Sequence, residues 1–87
     1  MTHRERRSIE YNAWARATLA ASLGLWDKAA LALLDLTDYL DDIDDESTEA
    51  AHARIMQRFF MWRSDHPGTL KQFCDANGYS LPPGVDL

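Results

Sequence analysis

The sequence predicts an all-α protein, a small helical bundle organised on an antiparallel hairpin. Three observations carry this. Trp26, Ala29, Leu33, Leu36, Leu40 and Ile43 recur at spacings of three and four, one face of a helix. Three prolines and four glycines among 87 residues are too few for a loop-rich or all-β chain. Alanine, leucine, arginine, glutamate and glutamine are plentiful, and all favour helix. A chain of this length is expected to form one domain, 1–87, burying about 60–65% of its unfolded surface around one modest core.

The first helix is expected over 4–23. Ile9, Ala13, Ala17 and Ala20 share a face, with Tyr11, Trp14 and Ala21 beside it. That face is narrow, so a second helix can approach closely. Gly24 then ends the helix, because glycine tolerates the left-handed conformation that closes helices. The second helix is expected over 25–43, with Asp27 favourably placed in its first turn. The short connection at Gly24 makes the first two helices antiparallel neighbours. Asp38, Asp41 and Asp42 sit at the wrong end of the second helix's dipole, a cost of a few tenths of a kcal/mol each, roughly.

Asp44, Asp45 and Glu46 form a turn, and Ser47 or Asp45 can cap a third helix over 47–64. Ala51, Ile55, Phe59 and Trp62 mark one of its faces, widened by Met56 and Phe60, with Arg54, Arg58 and Arg63 on the remainder. Asp65-His66-Pro67-Gly68 is a stop signal. Thr69 can cap a short fourth helix, expected over 68–77, with Leu70, Phe73 and Cys74 inward and Gly78 at its end. A tail over 78–87 follows, with Leu81, Val85 and Leu87 available to dock it.

The formal net charge of −5 hides a polarity. His3, Arg4, Arg6, Arg7 and Arg16 make the N-terminal quarter basic. From Asp35 to Glu49 there are eight acids and no base. The net acidity argues against direct nucleic-acid binding and suits a protein partner with a basic surface. Cys74 is the only cysteine, which excludes an internal disulfide and fits a reducing cytoplasm. No apolar run approaches the roughly 20 residues of a membrane span, and no apolar signal core follows the charged N-terminus.

The residue inventory argues against an enzyme. His3, His52 and His66 lack a second ligand at helical spacing, so no metal site is expected. The run from Asp42 superficially resembles a calcium loop, but Ser47 stands where glycine is required and Ala53 where glutamate is. No glycine-rich phosphate loop is present, and no cofactor is expected. Cys74 reads as a small buried apolar residue rather than a nucleophile. The carboxylates lie in one solvated run, whereas general acid–base chemistry needs them in contrasting environments.

Two stretches remain as candidate interaction surfaces. The acids Asp38, Asp41, Asp42, Asp44, Asp45 and Glu46 are either a solvated helix end or a docking surface for a basic groove. On the second reading, carboxylates along a rigid helix imitate a nucleic-acid backbone. Ile55, Met56, Phe59, Phe60, Met61 and Trp62 are almost uninterrupted. They form either a wide core face or, through Phe60 and Trp62, a surface for a partner or a second copy. The basic N-terminus can touch phosphates or pair with the acidic end of the second helix, and the hairpin favours the pairing.

The segment Leu23-Gly24-Leu25-Trp26-Asp27-Lys28-Ala29-Ala30 resembles the core of the PerC/ANR-type small helical regulators of enteric bacteria and their phages. In that group a first helix ends at Gly-Leu-Trp, followed by basic residues, a double alanine and an aromatic. Arg54, Arg58 and Arg63 can correspond to the arginines of a later helix. The resemblance implies a non-enzymatic regulator acting on a transcription factor or promoter complex. Asp27 stands where a basic residue is usual, and Ala32 and Leu33 where Arg-Trp is usual, which argues against direct DNA binding.

Together these readings lead to an acidic protein that binds another protein as a regulator or inhibitor, of phage or plasmid type. The alternative is a DNA-binding transcriptional regulator using Arg4, Arg6, Arg7 and Arg16.

Overall fold

The computed structural model describes residues 3–83. Four helices follow one another: α1 His3–Ser22, α2 Trp26–Asp42, α3 Thr48–Asp65 and α4 Leu70–Asn77. The bundle is all-helical, and its centre is α2, which packs against both α1 and α3.

The turn between α1 and α2 is built by backbone chemistry. Gly24 is left-handed at φ 73°. The Leu25 amide donates to the Ala20 carbonyl at 2.9 Å and the Gly24 amide to Ala21 at 3.0 Å. These two bonds satisfy the carbonyls that a helix C-terminus otherwise orphans. The chain reverses at once, and α2 returns along α1. The seam between them is small: Ala13, Ala17 and Ala21 from α1 are buried with Ala29, Ala30, Ala32 and Leu33 from α2. Tyr11, expected beside the α1 core face, instead points to solvent at 75% exposure, because a step of two residues from Ala13 turns it to the opposite side of the helix.

The second corner repeats the pattern with an acid in place of glycine. The Asp45 amide donates to Leu40 at 2.9 Å and the Asp44 amide to Asp41 at 3.1 Å. Asp44 takes the left-handed position at φ 52°. Asp and Asn are the non-glycine residues that tolerate it best. Ser47 caps α3, its hydroxyl accepting from the Ala50 amide. Thr69 and Gln72 form a reciprocal capping box at the start of α4, and left-handed Gly78 closes that helix.

α3 is rotated relative to the face read from the sequence. Its buried residues are Ala50, Ala53, Met56, Gln57, Phe59 and Phe60, while Ala51 is exposed and Ile55 and Trp62 are half-buried. The rotation lets one helix serve two neighbours, α2 on one side and α4 on the other. Rings from three helices and the segment after α4 meet there. Phe59 lies 6.2 Å from Trp26, 5.6 Å from Phe60, 6.1 Å from Trp62 and 5.8 Å from Phe73, centroid to centroid. Tyr79 extends the chain of rings from Phe73 at 5.8 Å, and Arg63 lies over the Trp26 ring at 4.8 Å. These are offset and edge contacts of the kind aromatic quadrupoles favour. Cys74 is buried beside them, and burial pushes its thiol above the ordinary value, with the Asp75 charge adding to the shift.

In the tail, Leu81 is 48% exposed and does not dock, as rigid Pro82 is the buried residue instead. Pro82 and Pro83 line a groove of about 270 Å³ floored by Leu36, Leu40 and Met56. Val85 and Leu87 lie outside the described residues.

Candidate functional site

The acidic end of α2 divides into carboxylates that hold the corner and carboxylates that face water. Asp45 belongs to the first group. Its side chain is 9% exposed and pairs with Arg6, which also holds Glu10 at 2.9 Å. It further accepts from the Ser47 amide at 2.8 Å. The Ser47 hydroxyl and amide hold the Asp45 carboxyl below its ordinary value, and Arg6 adds to this against the opposing effect of partial burial. Asp41 accepts from the Arg54 guanidinium at 2.9 and 3.1 Å, and the same guanidinium reaches the Asp45 carbonyl at 2.9 Å. One arginine thus ties the end of α2 to α3. Of the partner-binding candidates, Asp45 is thus largely covered and Asp41 is ion-paired to Arg54 while its side chain stays 65% exposed.

A carboxyl whose pKa is depressed by folding contributes stability above its unfolded value, and that contribution disappears as pH falls through the folded value. The contribution of the Asp45–Ser47–Arg6 contacts is thus fully present at neutral pH and is lost only as acid passes below the ordinary carboxylate range. Asp45→Asn is expected to lower the melting temperature at pH 7 and to flatten its decline on acidification. Thermal unfolding of both proteins across that range checks this.

Asp38, Asp42, Asp44 and Glu46 are exposed and make no ion pair among the described residues. They sit on a helix end and turn that the pairs above keep rigid.

Of the two aromatic candidates, one is buried and one half-buried. Phe60 is 2% exposed and stacks on Trp26 at 6.1 Å, so it is core rather than contact surface. Trp62 is half-buried, with His66 stacked on it at 5.4 Å and Phe73 packed against it. Of the run on α3, Met61 alone has most of its side chain in water, at 55%. The aromatic series is consumed because α3 packs two neighbours at once.

Two of the N-terminal basic residues are ion-paired within the chain. Arg6 is held by Asp45 and Glu10, and Arg16 approaches Asp35 at 3.3 Å across the hairpin. Arg16 thus pairs with an α2 acid, while Arg6 reaches the turn that follows α2. Arg7 is exposed, and the Arg4 side chain lies outside the described residues. Among the described residues no three His, Cys, Asp or Glu side chains gather as a metal site would require. No described helix is long and apolar enough to cross a membrane.

The surface the sequence reading missed is apolar and lies on the other half of the hairpin. Leu19 of α1 and Leu23 of the turn face Leu25, Leu31 and Leu34 of the α2 side across an open groove of about 550 Å³. Their exposures run from 38% for Leu25 to 64% for Leu23. Leu19 also joins the groove to the outer face of α1, where Tyr11, Ala15 and Thr18 line a second depression. The signal was present in the sequence, since Leu31 and Leu34 fall outside the stripe that packs α2 and have no partner assigned by it. The acidic turn and the leucine groove thus occupy opposite ends of α2. No family model, curated protein or solved structure matches the chain.

Proposed function

We propose that this chain is a non-enzymatic protein that binds another protein as a regulator or inhibitor, of the kind mobile elements carry. Its docking surface is the acidic corner between α2 and α3. The observation that supports this reading is the division of labour among the acids. Asp41 and Asp45 stiffen the corner through Arg54, Arg6 and Ser47, while Asp38, Asp42, Asp44 and Glu46 are left facing water. An anionic surface held rigid before binding loses little freedom on docking, so its charge is available for attraction and orientation. The complementary partner is a protein with a basic groove, such as one that ordinarily holds a nucleic-acid backbone.

The test replaces Asp38, Asp42 and Asp44 by Asn and Glu46 by Gln together. None of these side chains holds the corner, and Asn tolerates the left-handed position of Asp44, so helicity is expected to be unchanged. Affinity capture from the native host should recover a basic protein with the wild-type chain. The variant should bind it roughly tenfold or more weakly, and raised salt should release it from the wild type. Capture of the same proteins by both, with no dependence on salt, would reject the acidic corner as the docking surface.

A further inference from the structure

The leucine groove on the α1–α2 hairpin is a separate surface, and its own chemistry indicates what covers it. Its five leucines are 38% to 64% exposed, and Tyr11 on the adjoining outer face of α1 is 75% exposed. Contiguous exposed apolar surface of this kind marks an interaction site. Ala32, packed in the α1–α2 seam, lies at the floor of the groove.

The charges bordering the leucines have a specific order. Lys28, Leu31 and Asp35 lie three and four residues apart, on one stripe of α2. Lys28 and Asp35 are two turns apart, about 10 Å along the axis, with Leu31 and Ala32 midway. Lys28 is exposed and makes no ion pair among the described residues. Asp35 is 69% exposed, with only the 3.3 Å contact to Arg16. A stripe with a cation at one end, an anion at the other and apolar residues between is complementary to itself when reversed. Isologous two-fold contacts require that property.

We propose that the leucine face of the hairpin binds a second copy of this chain, forming a two-fold dimer with the α2 helices antiparallel at the level of Leu31. Lys28 then meets Asp35 of the partner subunit, and Asp35 meets Lys28 of the partner subunit. The antiparallel arrangement also sends the two acidic corners to opposite ends of the dimer, whereas a parallel one would bring their like charges together. The inference is independent of the acidic docking surface, because it uses the other end of α2.

Sedimentation of the full chain tests it. The wild type should be dimeric at ~100 µM, where an interface of micromolar affinity is nearly saturated. Leu31→Asp places a charge at a position already 61% exposed, so the fold should survive. The dissociation constant should rise by at least roughly 30-fold, as for a central interface residue. Lys28→Asp and Asp35→Lys should each weaken the dimer, and the double variant, which restores both inter-subunit pairs with reversed sign, should recover most of the affinity. If Leu31→Asp unfolds the chain, the charge series decides alone. A monomeric wild type, a dimer indifferent to Leu31→Asp, or a double variant no better than the two singles overturns the proposal.

Discussion

Phe59→Ala is expected to remove about 3–5 kcal/mol of stability. Phe59 is 1% exposed and touches a ring from α2, two from its own helix and one from α4. Truncating it loses the transfer energy of the ring and leaves a cavity that its neighbours cannot close without breaking their own offset contacts. A domain of this size has about 4–13 kcal/mol in total, so the variant stands at the edge of folding. Its melting temperature should fall by roughly 15–30 °C if the transition remains measurable. Met61→Ala, two residues along the same helix but largely in water, should change stability by no more than about 0.5 kcal/mol. Thermal or urea unfolding of the two variants makes the comparison. Equal effects would mean that the aromatic cluster is not the centre of the core.

Gly68→Ala is expected to cost about 2–4 kcal/mol although Gly68 belongs to no helix. Its φ of 153° is disfavoured for residues with a side chain, and a β-carbon there would lie 2.5 Å from the outer edge of the Trp62 ring. The Trp62 edge cannot retreat freely, because Phe59, His66 and Phe73 surround the ring. The backbone at Gly68 is thus a wall of the aromatic cluster. Trp62 fluorescence should shift along with the loss of stability. The same exchange at Gly24 meets no neighbouring atom within 4 Å and should cost less, leaving only the strain of the left-handed backbone.

The hairpin was legible because its signals are local. Gly24 ends α1 and the stripe from Trp26 to Leu40 packs α2, and both follow from chemistry within a few residues. Ser47 and Thr69 were legible as caps for the same reason. The rotation of α3 was not. Both the Ala51–Ile55–Phe59–Trp62 face and the Ala50–Ala53–Met56–Phe60 face carry apolar residues at helical spacing, and periodicity cannot choose between them. The choice is made by Trp26 and Phe73, which come from other helices. The acidic run was read as one surface, but cross-helix reach divides it: Arg54 and Arg6 engage Asp41 and Asp45 across 13 and 39 residues of chain. Leu31 and Leu34 lie off the α2 packing stripe, but that they join Leu19 and Leu23 in one groove depends on how α1 sits against α2, which periodicity within α2 does not show.

The alanine seam between α1 and α2 bears on local opening. An alanine loses no rotamer entropy on burial, so the seam closes easily, but three small side chains bury little apolar surface. Apart from that seam, α1 is held by half-buried Ile9, Ala20 and Trp14 and by its ion pairs to α2 and the following turn. It is the long helix whose release costs least, while α2, α3 and α4 stay joined by the rings. In the antiparallel dimer Leu19 of α1 and Leu23 just after it are part of the contact, so a released α1 forfeits both interfaces at once. Self-association and the closing of α1 are then thermodynamically linked, and the amides of α1 gain protection from solvent exchange as the protein concentration rises.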